Sequence, residues 1–179
     1  DDEKVLLHSF LNSYYQTGLK SLLDEAILKR EDISLKGYTK IDEVPFDFIR
    51  KRVSVVIEHK GKKFLIAKGA REEIIKVCSK YELAEKVRPL TNGSKKKIDQ
   101  KYFELSSKGF RVLGVSYKKV REEKTVYSVK DESDMVFLGF IAFMDPPKET
   151  ARESLQLLSK AGVELKILTG DNELVTRKT

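Results

Sequence analysis

The sequence predicts an α+β fold: an antiparallel sheet flanked by helices, followed by a partial βαβ segment. Three observations carry that reading. Residues 5–16 and 19–30 place apolar side chains at helical spacing. Residues 52–70, RVSVVIEHKGKKFLIAKGA, read as two β-rich runs joined at Lys60-Gly61. Residues 136–144, VFLGFIAFM, are continuously apolar and open a strand–helix–strand–helix rhythm that runs to residue 179.

Each element has its own reason. VLLHSFLNSYYQ stops before Gly18, and the next helix gathers Leu19, Leu22, Leu23, Ala26 and Ile27 on one face. YTKIDEVPF is an extended stretch entering Pro45. AREEIIKVCSKY (70–81) reads as a short helix carrying Cys78 as a small core residue. TNGS (91–94) is a turn, with Ser94 able to cap a helix over 95–108 that Gly109 ends. FRVLGVSYKKV is a further strand, and 121–134 is a polar, charged loop. Pro146 and Pro147 can open a helix that Gly162 closes. VELKILTGD is a second buried strand, and NELVTRK begins another helix. Two units follow from the change of character: residues 1–137, built on the antiparallel sheet, and residues 138–179, a hinge with part of a parallel α/β unit.

Composition narrows the function classes. The chain has 179 residues, 40% hydrophobic and 35% charged, which suits a globular fold with a charged surface. The longest apolar run, Met135 to Met144, is far short of the roughly 20 residues a membrane helix needs. No signal peptide is visible, and the opening DDEK suggests a piece of a longer protein. One cysteine forbids an intrachain disulfide and points to a reducing compartment. Asn92-Gly-Ser fits a glycosylation sequon but reads better as a turn. A net charge of +7 admits nucleic acid, an anionic membrane surface or a phosphorylated ligand. The basic residues are dispersed except at Arg50–Arg52 and Lys95–Lys97, the latter reading as solvated surface. With two histidines and one cysteine, a zinc site is not expected. Walker-type, Rossmann and zincin motifs are absent.

Four short stretches can carry chemistry. PFDFIRKRVSV (45–55) sets two aromatics before a basic cluster, a pairing that can stack a base and meet a phosphate, or that can serve as core rings beside a charged strand end. AKGA (67–70) puts a lysine at a strand end, a glycine that permits close approach, and the start of a helix. An ordinary turn with a solvated lysine is the plain alternative. TGDN (169–172) stands where a parallel strand gives way to a helix, so Thr169 and Asp171 can face phosphate or Mg²⁺, or merely cap the helix. DPPK (145–148) is a rigid strand-to-helix turn.

In this order, PFDFIRKRVSV, AKGAREEI, GFRVLGVSY, DPPK and LTGDN resemble the cytoplasmic nucleotide-binding domain of P-type cation-transporting ATPases, running into the phosphorylation domain. SYYQTGLKSLLDEAIL and FLGFIAFMDPPKET are most like the magnesium-transporting branch. The resemblance covers nearly the whole chain. It implies a haloacid-dehalogenase-like fold for the last segment, a soluble piece on the cytoplasmic face of a membrane, and ATP with Mg²⁺ as ligands. It also implies partners in the remaining phosphorylation, actuator and transmembrane domains, with no nucleic acid.

The resemblance assigns residues. Phe46 matches the ring that stacks on adenine, Lys51 a cation reaching toward the nucleotide, and Lys68 with Gly69 the lysine-glycine at the pocket floor. Arg111 matches an arginine on the phosphates, and Asp24 an acidic residue near the adenine. Asp145 matches a hinge residue, and Thr169, Gly170 and Asp171 the phosphate-side loop. The family's K-G-A-P-E reads KGARE here, with Arg71 in place of proline. The phosphorylated aspartate of D-K-T-G is not among these residues, so the fragment is expected to bind nucleotide without catalytic residues or a metal site of its own. Alanine at Phe46 or Lys68 is expected to weaken binding and spare the fold. A complete haloacid-dehalogenase-like phosphatase is the alternative, but no D-x-D nucleophile follows a buried strand. A nucleic-acid module would explain the charge, but the aromatics are few.

Overall fold

The computed structural model describes residues 3–18, 20–30, 32–121, 123–144, 150–164 and 166, with the side chains of 151–153 left aside. Helices α1 (Glu3–Tyr15) and α2 (Leu22–Leu28) precede the strands β1 (Tyr38–Asp47), β2 (Arg52–His59) and β3 (Lys62–Gly69). Helix α3 (Arg71–Val77) leads into β4 (Cys78–Leu83) and β5 (Lys86–Pro89). Helix α4 (Asn92–Ser107), β6 (Phe110–Val120), β7 (Met135–Met144) and α5 (Ala151–Lys160) follow among the described residues. The strands form one seven-stranded sheet in the order β1-β2-β3-β6-β7-β4-β5. All neighbours are antiparallel except β4 and β7, which run parallel and make the sheet mixed.

The β2–β3 hairpin forms where expected. Lys60 and Gly61 take φ of 51° and 71°, as a two-residue turn of matching twist requires. Successive residues then face opposite sides of the sheet. On one side Val55, Ile57 and Ile66 pack with Leu11 of α1. On the other Val56, Leu65 and Ala67 pack with Ile74 of α3, Met135, Phe137 and Tyr127. Two buried layers therefore sandwich β2 and β3, whose residues 53–57 and 66–69 are all buried.

Several local expectations are corrected. Helix α3 ends at Val77, and Cys78 begins β4 instead of continuing the helix. It is buried all the same, and burial pushes its thiol pKa up to about 12, far from a reactive thiolate. The β4–β5 hairpin has no turn signature in sequence, because its left-handed positions are Ala84 and Glu85. The residue capping α4 is Thr91, with Ser94 three positions on returning the bond to the Thr91 amide. Asn92 is accordingly the first helical residue.

The apolar run at 136–144 is a strand, but its partners differ from expectation. It pairs antiparallel with β6 along Phe110–Tyr117 and parallel with β4. It is thus a central strand of the main sheet, and residues 137 and 138 both lie inside it. Helix α5 follows where a helix was expected. Asp145, Thr169, Gly170 and Asp171 lie outside the described residues, as does most of the expected strand at 163–171.

Residues 123–134 form a strap against the sheet. Tyr127 is buried in the core, and its backbone N–H donates to Asp42 Oδ2 at 2.6 Å. A single 3₁₀ turn, Val129–Asp131, delivers Glu132 into the interior.

Candidate functional site

The residues singled out at β1, β2, β3 and β6 meet at one end of the sheet. Strand β1 finishes with Phe46 and Asp47, the latter opposite Arg52. The four residues between them form a turn that Asp47 builds: its Oδ1 accepts from the amides of Ile49 (2.6 Å) and Arg50 (3.0 Å). Those backbone bonds hold the Asp47 carboxyl below its ordinary pKa. Lys51 closes the turn in the left-handed region, φ 46°. Beside it β3 ends at Gly69, opposite both Arg52 and Gly114.

Phe46 stands out from this end of the sheet, 51% exposed, with Phe48 against it edge-on at 5.3 Å. Of the two readings open to PFDFIRKRVSV, core rings are excluded: Phe48 and Ile49 are 86% and 88% exposed. Lys51 is exposed as well. An exposed ring and an exposed cation on either side of one short turn are the pair a nucleotide base and its phosphates can use.

Lys68 is placed differently. It is only 4% exposed, and its Nζ lies 2.5 Å from Asp24 Oδ1. Ser13 Oγ also accepts from Lys68 and donates to Asp24 Oδ1 at 2.9 Å. Ser21, which caps α2, adds its N–H (2.9 Å) and Oγ (2.7 Å) to Asp24 Oδ2. Burial would raise the Asp24 pKa, but the Lys68 charge and these donors outweigh it and bring it down to about 2. Burial lowers the Lys68 pKa, with Asp24 opposing it. The 2.5 Å contact and the surrounding donors hold the pair charged at neutral pH. Lys68 and Asp24, assigned separately from the sequence, are therefore one buried unit. Ser13, which completes it, escaped the sequence reading.

Gly69 opens onto the opposite face. A Cβ there would lie 2.5 Å from Arg52 Cβ and 2.6 Å from its Cα, and would also strike the Lys51 carbonyl oxygen. That oxygen accepts from the Ala70 N–H at 2.9 Å. The facing Gly114 similarly leaves 3.2 Å for Ile74 of α3. The glycine pair thus seats α3 and the turn on the sheet; the clearance is filled by the protein's own atoms.

Val115 is the cross-strand partner of Lys68, so Val115, Leu113 and Arg111 share the Lys68 face by alternation. Arg111 lies three residues beyond the level of Gly69, about 10 Å along β6. Strand β7 ends at Met144, opposite Phe110, so the chain leaves the sheet at this same end.

The helix start after Gly69 carries acidic residues, which disfavour an anion there. Helix α3 has seven residues and carries Glu72 and Glu73 in its first turn. Arg71 turns to α4: its guanidinium pairs with Asp99 and lies 4.7 Å over the Tyr102 ring.

Glu132 is the functional candidate that sequence reasoning missed. Its carboxylate accepts from Arg50 Nη1 (2.8 and 2.9 Å), Arg52 Nε (2.8 Å) and Ser54 Oγ (2.6 Å). Among the described residues, no group of three or more His, Cys, Asp or Glu comes together to hold a metal. Nor is any helix of the described residues long and apolar enough to cross a membrane.

The family model described as "P-type ATPase, cytoplasmic domain N" matches residues 2–150. The chain is 43% identical over 182 aligned residues to "Magnesium-transporting ATPase, P-type 1" of Escherichia coli K12, covering 98% of this chain and 20% of that protein. A protein of the same name in Salmonella typhimurium LT2 is 36% identical, over 98% of this chain and 20% of its own length. "Calcium-transporting ATPase 1" of Lactococcus lactis is 33% identical, over 96% of this chain and 21% of its own. The chain spans about a fifth of the length of these curated relatives.

Proposed function

This chain belongs to the P-type ATPase cytoplasmic N-domain family, and we propose that it binds ATP at the sheet end marked by Phe46 and Lys51. The observation that carries this reading is the exposed Phe46 ring and the exposed Lys51 cation flanking one turn, at the sheet end that also holds the buried Lys68–Asp24 pair. Adenine stacks on Phe46, a contact worth about 1–3 kcal/mol. Lys51 meets the phosphates, and Arg111 extends the cationic reach along the Lys68 face. Lys68 and Asp24 form the buried floor, each holding the other in place. Gly69 serves the site through the packing it permits beneath the turn.

The whole protein is proposed to couple ATP hydrolysis to cation transport, with Mg²⁺ as the favoured cargo. Greater identity to the magnesium-transporting relatives than to the calcium-transporting one supports that choice. In such a protein this segment sits on the cytoplasmic side of the membrane. It delivers the γ-phosphate to an aspartate of the phosphorylation domain. Actuator and transmembrane domains are its further partners. The exit of the chain at Met144, at the nucleotide end of the sheet, suits that delivery. Asp145 then acts as hinge, and Thr169, Gly170 and Asp171 as the phosphate-side loop. Mg²⁺ as cofactor enters on the ATP phosphates, the usual mode for a hard cation that keeps its waters.

Titrating ATP into the chain and following backbone amide shifts tests the reading. Shifts are expected at Phe46, Lys51, Gly69 and Arg111. No shift at millimolar ATP would sink it.

A further inference from the structure

The β1–β2 turn that carries Phe46 and Lys51 has little packing of its own, since Phe48 and Ile49 at its tip point into solvent. What gives it a fixed shape comes from the far side of the sequence. Glu132 has a fully buried side chain beneath the turn. Arg50 Nη1 donates to both of its oxygens, at 2.9 Å to Oε1 and 2.8 Å to Oε2, while Arg52 Nε and Nη2 each lie 2.8 Å from Oε2. Ser54 Oγ donates to Oε1. Arg50 also reaches back from the same guanidinium to the Pro45 carbonyl at 2.5 Å, the residue before Phe46. One carboxylate therefore ties together the residue before the stacking ring, the turn and the start of β2.

We propose that Glu132 is a positioning residue for nucleotide binding: it holds the turn in the shape that presents Phe46 and Lys51. The strap 123–134 delivers it, anchored at Tyr127 to Asp42 of β1 and at Lys118, whose Nζ donates to the Asp131 and Ser133 carbonyls at 2.7 and 2.8 Å. Charge-assisted bonds from two guanidinium groups to one buried carboxylate hold the turn in place, which a turn bearing ligand contacts needs. The inference rests on the nucleotide reading of Phe46 and Lys51.

The test is Glu132→Gln in this chain, measured against Glu82→Gln. Glu82 is a comparably buried carboxylate on β4, paired with Lys4 at 2.5 Å and bonded by Tyr117, and it makes no contact with the turn. Both variants lose stability. Only Glu132→Gln is expected to weaken ATP binding, by about tenfold, at a temperature where both are folded. It should also shift and loosen the amides of residues 46–51. ATP affinity equal to wild type in folded Glu132→Gln, or an equal loss in Glu82→Gln, would overturn the proposal. Should Glu132→Gln not fold, Arg50→Lys and Ser54→Ala replace it: the first keeps the charge but loses the guanidinium that bonds Glu132 and the Pro45 carbonyl at once, the second removes one bond. Weaker ATP binding in Arg50→Lys supports the proposal, and wild-type affinity in both refutes it. If the wild-type chain itself binds no ATP, the nucleotide reading fails. The hold of Glu132 on the turn then still shows in the amide shifts of Glu132→Gln.

Discussion

Lys68 Nζ stands 2.5 Å from Asp24 Oδ1 inside the protein, joining the end of β3 to the first turn of α2. The pair makes Lys68 a structural residue as well as a member of the proposed site. Removing one partner leaves the other charge buried and unmatched. Lys68→Ala should therefore lower stability by about 3–5 kcal/mol, in addition to weakening ATP binding. Phe46→Ala should weaken ATP binding with little loss of stability, because half of the ring is exposed. Urea unfolding of the two variants checks the contrast. Equal stability in both would contradict the placement of Lys68.

The same pair sets a pH dependence. Asp24 has a folded pKa of about 2 against an ordinary 3.8. A depressed carboxyl contributes stability above its unfolded value and loses it as pH falls through the folded one. The stability gap between wild type and Asp24→Asn should thus be full above about pH 4 and shrink toward pH 2. Thermal melts of both proteins across pH 2–6 measure it. A gap independent of pH would show that Asp24 does not ionise as described.

Gly69 makes a separate prediction. A methyl group at this position meets the backbone of Lys51 and Arg52, which cannot move as a side-chain tip can. Gly69→Ala should cost about 1–3 kcal/mol by overpacking and should displace the turn. Wild-type stability, read from a urea midpoint, would mean that the turn sits farther from β3 than described.

Much of the fold could be read from sequence because its cues are local. The β2–β3 hairpin has its Lys60-Gly61 turn, α4 its capping residues, and β7 its apolar run. What escaped depends on distant partners or on turns without their usual residues. Ala84 and Glu85 adopt left-handed backbone with no glycine or asparagine to announce it. The apolar run of β7 announces a strand but not that β6 and β4 are its neighbours. Phe46 and Lys51 could be singled out because they stand in one short motif. Glu132 was not, since its partner Arg52 is 80 residues away and its own surroundings are polar and irregular. Ser13 likewise reaches Lys68 across 55 residues, with nothing near it in sequence to suggest a role.

The placement of adenine on Phe46 is the central claim, and intermolecular nuclear Overhauser effects test it most directly. With ATP bound to the isotope-labelled chain, contacts are predicted between the adenine protons and the Phe46 ring. Adenine contacts to residues elsewhere on the sheet, with none to Phe46, would contradict the account.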